Sequence, residues 1–335
     1  MQSRTKWSRR NVLAAGSAAA IAGSFATAGA ATPLGKPEKT TLTLGLASFG
    51  SNFLPVYVAA AKTFKEQGLD VQLLGFRGDA EVSQAIAGNS IDLSLASMNG
   101  LINLISSGQP VMGFYAGFDQ ADFSWLAQPS IKTWAQLKQK KVGVATFGSL
   151  TDALTRYILR KHGLDPAHDV QIIQAGGSQS GFEALESGKL DAVILSAPFK
   201  WRAAADGYTV LGTQQHDIAP RWPKNLFMAK SAFLKDNPNT MRAFLRAYVA
   251  AIRYARRNRE SAVKILMDQL KYTQPDAGGA YDSALADMDE RGNLPQAAMA
   301  TFWAVTVENG DVERPWPESK FFDRRYVDSF KQWAP

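Results

Sequence analysis

The hexapeptide LASFGS at Leu46–Ser51 returns as VATFGS at Val144–Ser149, 98 residues further along a chain of 335. Each copy closes a short apolar run that reads as a buried strand, and each leads at once into a helix start, marked by Pro55 after the first and by the S-x-x-D pattern of Ser149 and Asp152 after the second. The segments that follow keep the correspondence. LDVQLLGF, DAEVSQAIAGNS and IDLSLAS read as strand, helix and strand after the first copy. HGLDPAHDVQIIQ, SGFEALESG and LDAVILS do the same after the second, with Asp92 answering Asp191 and Ser97 answering Ser196 at an offset of 99. So little slippage across a whole unit points to two equivalent βαβαβ lobes of an α/β fold.

In an open α/β sheet, ligands bind beyond the carboxyl ends of the strands, which is where both hexapeptides fall. A helix start there offers unpaired N–H groups and about half a positive charge, so it can accept an anion without a basic side chain. The glycine lets backbone approach closely, and the hydroxyls of Ser48 and Thr146 add neutral donors. Helix capping alone accounts equally well for the hydroxyls, and a core-packing ring at each turn accounts for Phe49 and Phe147. An apolar wall on the cleft is the reading preferred for the rings. The other strand ends carry FRGD (Phe76–Asp79), LASMN (Leu95–Asn99), AGGSQSG (Ala175–Gly181) and ILSAPFKW (Ile194–Trp201). Apart from Lys200, Arg77 is the one basic residue at these ends, a partner for a carboxylate or sulfonate or else a surface arginine beside Asp79.

NLFMAK (Asn225–Lys230) reads as a strand returning to the first sheet, and most of the remaining chain is helical. Two crossings between lobes are therefore expected, near Gly117–Trp125 and Ile218–Asn225, which divides the chain into lobe 1 (40–118 plus 225–335) and lobe 2 (119–224).

The composition excludes several chemistries. Cysteine is absent, which removes disulfides and thiolate sites, and the three histidines, His162, His168 and His216, lack metal-ligand spacing. Neither copy contains G-x-G-x-x-G or a Lys-bearing phosphate loop, and GGSQSG puts Gln179 where a nucleophile elbow needs its serine. No enzyme, cofactor or metal is expected. The formal charge of +7 falls to about +3 without the first 31 residues, which hold Arg4, Lys6, Arg9 and Arg10 and no acid, so nucleic acid is not an expected partner. That leading stretch pairs Arg9 and Arg10 with the apolar run Val12–Phe25 and an A-x-A site at Ala28–Ala30. It reads as a cleaved signal peptide, residues 1–31, similar to twin-arginine leaders.

From Thr40 to about Leu270 the chain resembles the periplasmic substrate-binding proteins of ABC importers for nitrate, aliphatic sulfonates and taurine, a group that includes binders of thiamine-precursor pyrimidines and aromatic carboxylates. The carrying segments are FLPVYVAAAKTFKEQGLDVQL, IAGNSIDLSLAS, IKTWAQLKQKKVGVATFGSLTDALTRYILRKHGLD, ALESGKLDAVILSAP and NLFMAKSAFLKDNPNTMRAFLRAYVAAIRYA. The resemblance implies a two-lobed periplasmic-binding-protein fold of type II with a two-crossover hinge. It implies a soluble periplasmic monomer that closes on a small organic anion, a sulfonate, taurine or an aromatic carboxylate, and delivers it to an inner-membrane ABC permease. Carried over position by position, the contacts are Ser48, Phe49 and Asn52; Arg77; Ser97 and Met98; Thr146, Gly148, Ser149 and Thr151; and Ser196 and Pro198. Binding of a thiamine-precursor pyrimidine and a secreted enzyme acting on a small molecule are the alternatives. Fungal relatives make that pyrimidine with a Cys-rich motif and a sacrificial histidine; this chain has no cysteine, and no histidine in the matching loops.

Overall fold

A computed structural model describes residues 35–286 and 288–335; the expected signal peptide lies outside the described residues. The first unit runs β1 (Thr41–Leu46), a 3-10 turn (Ser51–Phe53), α1 (Leu54–Val58), a π turn (Ala59–Thr63), α2 (Phe64–Glu66), β2 (Asp70–Gly75), α3 (Asp79–Ala87), β3 (Leu93–Ser97), α4 (Met98–Ser106) and β4 (Val111–Gln120). The second runs β5 (Ser124–Ala127), a 3-10 turn (Trp134–Leu137), β6 (Lys141–Val144), α5 (Leu150–Lys161), β7 (Gln171–Gln174), α6 (Ser178–Glu186), β8 (Ala192–Leu195), α7 (Phe199–Ala205), β9 (Thr209–Thr213) and α8 (Gln214–Asp217). Then β10 (Arg221–Lys230) precedes α9 (Ser231–Asp236), α10 (Pro238–Arg257), α11 (Arg259–Leu270), α12 (Gln274–Ala286), α13 (Gln296–Glu308), a 3-10 turn (Glu318–Lys320), α14 (Arg325–Asp328) and α15 (Phe330–Trp333).

The two sheets have the same plan. One is ordered β2-β1-β3-β10-β4 and the other β7-β6-β8-β5-β9. In each, the first three strands are parallel and the fourth runs antiparallel to both its neighbours. The fourth strand is the exchanged one: β5 follows the edge strand of the first sheet, and β10 follows β9 and α8 of the second. The chain thus crosses between sheets at 121–123 and again at 218–220. NLFMAK joins the first sheet as expected, but β4, β5 and β9 are strands that the periodicity did not announce. β10 also begins four residues earlier than its apolar run, at Arg221. Pro223 hides those residues, because proline normally marks the end of a central strand; here the pairing with β4 shifts register between Arg221 and Asn225, which is where a sheet tolerates it.

Strands packed on both faces become continuous apolar runs, and β3 is buried throughout. The centre of the first unit is aromatic. Phe227 on β10 has ring contacts with Phe114, Phe118, Phe244 and Tyr248 at 4.9–6.4 Å between centroids. α10 begins with Pro238 at its first position, buries Phe244, Tyr248, Ile252 and Ala255 along one face, and ends in Arg256 and Arg257. Three arginines of the basic run Arg253–Arg259 make intramolecular pairs, Arg253 and Arg256 with Glu290 and Arg259 with Asp282, while Arg257 is exposed. The C-terminal segment covers the edge of β4 through the Gly113 N–H bond to the Phe321 carbonyl, 2.9 Å.

Phe227→Ala should therefore lower stability by about 3–5 kcal/mol, because the ring is fully buried among four others. Urea unfolding with an unchanged m-value checks it.

Candidate functional site

The loops after β1, β3, β6 and β8 converge on one cleft between the two sheets, with the first residues of α3 and α6 beside them. Ser48, Phe49, Asn52, Ser97, Ser149, Thr151 and Ser196 line it. Arg77, Met98, Thr146, Gly148 and Pro198 do not. Arg77 is an outward-facing side chain paired with Glu81 at 2.5 Å, one turn along the same segment. Met98 is buried in the core, and Pro198 serves as the N-cap of α7. Gly148 and Phe147 line a separate crevice behind the cleft, together with Asn103 of α4, whose Nδ2 donates to the Gly148 carbonyl at 2.9 Å. The two repeated phenylalanines are not core residues, being 52% and 49% exposed, and Phe49 alone of the pair faces the cleft. It stacks on Tyr57 and lies against Gly75, where any side chain would collide with the ring.

Matched serines do matched work in the two lobes. The first residue of α3, Asp79, accepts the Ser97 N–H at 2.9 Å and the Ser97 hydroxyl at 2.7 Å. The first residue of α6, Ser178, accepts the Ser196 N–H at 3.0 Å and shares a second 3.0 Å hydrogen bond with the Ser196 hydroxyl. Each pair pins the end of the third strand to the start of the preceding helix. Ser97 and Ser149 also cap α4 and α5, accepting from Gly100 N–H and Asp152 N–H. Capping and cleft lining are thus carried by the same hydroxyls.

The lobes touch across the cleft in this conformation. Asp79 accepts the Leu150 N–H at 3.3 Å, and the Ser51 hydroxyl donates to the Ala197 carbonyl at 3.2 Å. Asn309, just past α13, donates to the Ala153 carbonyl of α5 at 3.0 Å. A Cβ on Gly78 would stand 2.5 Å from the Thr146 hydroxyl, so only glycine admits this approach. Burial raises the Asp79 carboxyl above its ordinary value, and the bonds from Ser97 and Leu150 oppose that shift only in part.

The cleft also holds a buried cation that motif reading passed over. Lys224 on β10 lines it, is almost wholly buried, and donates to Asp122 Oδ1 at 2.5 Å. Its ammonium stands 4.7 Å from the centre of the Phe123 ring, which lines the cleft too. Lys200 of α7 donates to the Asp122 backbone carbonyl. Asp122 therefore faces two cations, and the group of three carries one net positive charge. Burial raises the Asp122 carboxyl, but Lys224 and Lys200 overcome this and leave it lowered. Asn225 also lines the cleft and accepts from Asn52 Nδ2 at 3.1 Å. Tyr272, between α11 and α12, reaches in against Phe199, and burial pushes its hydroxyl far above the tyrosine range, so it stays a neutral phenol. Among the described residues no cluster of His, Cys, Asp and Glu could hold a metal ion.

Because the folded pKa of Asp122 lies below its ordinary value of 3.8, its contribution to stability is complete above that value and fades as pH falls through the folded one. Asp122→Asn, which leaves Lys224 buried without its charge partner, should cost about 3–5 kcal/mol at pH 7, and the gap from wild type should narrow in acid. Urea titrations at neutral and acid pH read both.

Comparison with known proteins gives the same architecture. A structure from Bordetella bronchiseptica, 24% identical, superposes with a TM-score of 0.76 over 88% of this chain and 98% of that one. The periplasmic aliphatic sulphonate binding protein SsuA of Escherichia coli, 18% identical, does so with a TM-score of 0.61 over 83% and 94%. In sequence, Bacillus subtilis YtlA is 28% identical over 235 residues, 67% of this chain and 69% of YtlA. The Saccharomyces cerevisiae 4-amino-5-hydroxymethyl-2-methylpyrimidine phosphate synthase THI13 is 26% identical over 219 residues, and the match spans 62% of its length. The family model described as NMT1/THI5 like matches residues 50–262, well over half of the chain. With the fold and the matched span in agreement, this chain belongs to the NMT1/THI5-like family.

Proposed function

We propose that this protein is the solute-binding component of an ABC importer. It is exported to the periplasm, closes two lobes, joined by the crossings at 121–123 and 218–220, on a small organic anion, a sulfonate or an aromatic carboxylate, and hands it to a membrane permease. The periplasmic-binding-protein fold supports a solute-binding role, YtlA carries a binding-protein name, and SsuA is named for aliphatic sulphonates. Among the described residues no helix is long and apolar enough to cross a membrane. The observation that carries the reading is Lys224: a buried lysine of the cleft wall, paired with Asp122 and set over the Phe123 ring, in a cleft that Phe49, Phe53 and Phe199 also line. Such a wall suits an anion with an apolar body.

A second reading rests on the yeast relatives, which are named as synthases. It would make the cleft an active site or a pyrimidine pocket. No histidine lines this cleft, and the chain has no cysteine. The amides of Asn52 and Asn225 and the ring of Tyr272 are what a heterocycle would use.

A thermal-shift panel of sulfonates, taurine, nitrate, aromatic carboxylates and pyrimidines tests the proposal, since a ligand at a hundred times its dissociation constant stabilises by about 2.7 kcal/mol. An anion should shift the melt. Lys224→Gln should weaken that ligand at least tenfold by calorimetry, and Arg77→Gln should leave it unchanged. A shift by pyrimidines alone, or indifference to Lys224→Gln, would overturn the anion reading.

A further inference from the structure

The start of α5 looks like a ready anion site, yet the protein has already filled it. Leu150 N–H goes to Asp79 and Gly148 N–H to Asp152 Oδ2 at 2.8 Å, so two carboxylates of the chain share one helix end. Phe147 N–H is taken by Gln174 Oε1 at 2.9 Å. Arg156 neutralises Asp152 through a 2.8 Å ion pair. Among the described residues Asp79 has no basic partner: its oxygens are held by Ser97 and by Leu150 across the cleft. The internal repeat makes the same connection in the other lobe without a charge. Ser178 occupies the equivalent place 99 residues later and pins Ser196 as Asp79 pins Ser97, with a neutral hydroxyl and the same separation of 18 residues.

We propose that Asp79 is a specificity-determining residue: its carboxylate stands where a second anionic group of a solute would bind, and so restricts the cleft to solutes with a single anionic group. A further anion at α5 would meet Asp79 at short range in a site shielded from water, where like charges repel strongly. The solute's charge is left to the Lys224 side, and an uncharged end faces α5. This rests on the anion reading above for the placement of the first charge. Solutes anionic at both ends, such as dicarboxylates and disulfonates, are excluded.

Inorganic sulfate is the probe, because it needs only the helix end. Asp79→Asn keeps the shape, and Asp79→Ser copies Ser178. Either folded variant should bind sulfate at least tenfold more tightly than wild type by calorimetry, and its crystal should show sulfate on the Leu150 N–H. Equal sulfate affinity in wild type and the folded variants overturns the proposal. So does sulfate on the Leu150 N–H in wild-type crystals grown from ammonium sulfate, a readout that needs no variant. Failure of the anion reading would appear instead as indifference to Lys224→Gln, with the sulfate result unaffected.

Discussion

The buried ion pair between Asp122 and Lys224 ties together the two places where the chain passes from one sheet to the other. Asp122 lies in the first crossing, and Lys224 opens β10 just after the second. Both side chains are nearly excluded from water, and Lys200 adds a bond to the same segment. A pair this deep is weak evidence for added stability, because desolvation offsets much of the attraction, but it fixes one geometry well. Here it joins the two crossings to each other, and Lys224 is at the same time a residue of the cleft wall. The hinge and the proposed ligand charge are therefore one electrostatic unit.

The second constraint is a repeat that has been broken at one position. Two lobes of equivalent strand order place related loops across a cleft, and in each a side chain at a helix start grips a serine at a strand end. Where lobe 2 uses Ser178, lobe 1 uses Asp79, and the extra charge reaches over to the opposite helix. Pseudo-symmetry makes the jaws; its violation makes them chemically different. Gly78, flush against Thr146, shows how close the approach is.

Much of this was legible in the chain itself. The repeated hexapeptide pointed to two equivalent loops, of which Ser48, Phe49 and Ser149 come to one cleft while Phe147 and Gly148 do not, and the 99-residue offset matched Ser97 with Ser196, which hold equivalent places. What stayed hidden was non-local. Lys224 sits behind a proline in a bulged strand start, and nothing in RWPKN signals that it turns inward. Asp79 reads as a helix-start acid with a neighbouring arginine; its burial and its bond to Leu150 exist only once the second lobe is in place. Arg77, the basic residue at a strand end, was the visible cation, yet it pairs with Glu81 because an i, i+4 partner one turn away is closer than the cleft. The exchanged strand β5 and the edge strand β9, of four and five residues, are too short for periodicity to separate them from loop.

The central claim is that the two lobes close about the crossings on a solute held between them. Since the chain has no cysteine, spin labels can be placed singly at exposed Lys65→Cys in the first lobe and Lys189→Cys in the second. The inter-label distance is then measured by pulsed electron resonance, with and without the anion that shifts the melt. The account predicts a shorter and narrower distribution with the anion present. A distribution unchanged at saturating anion would contradict it.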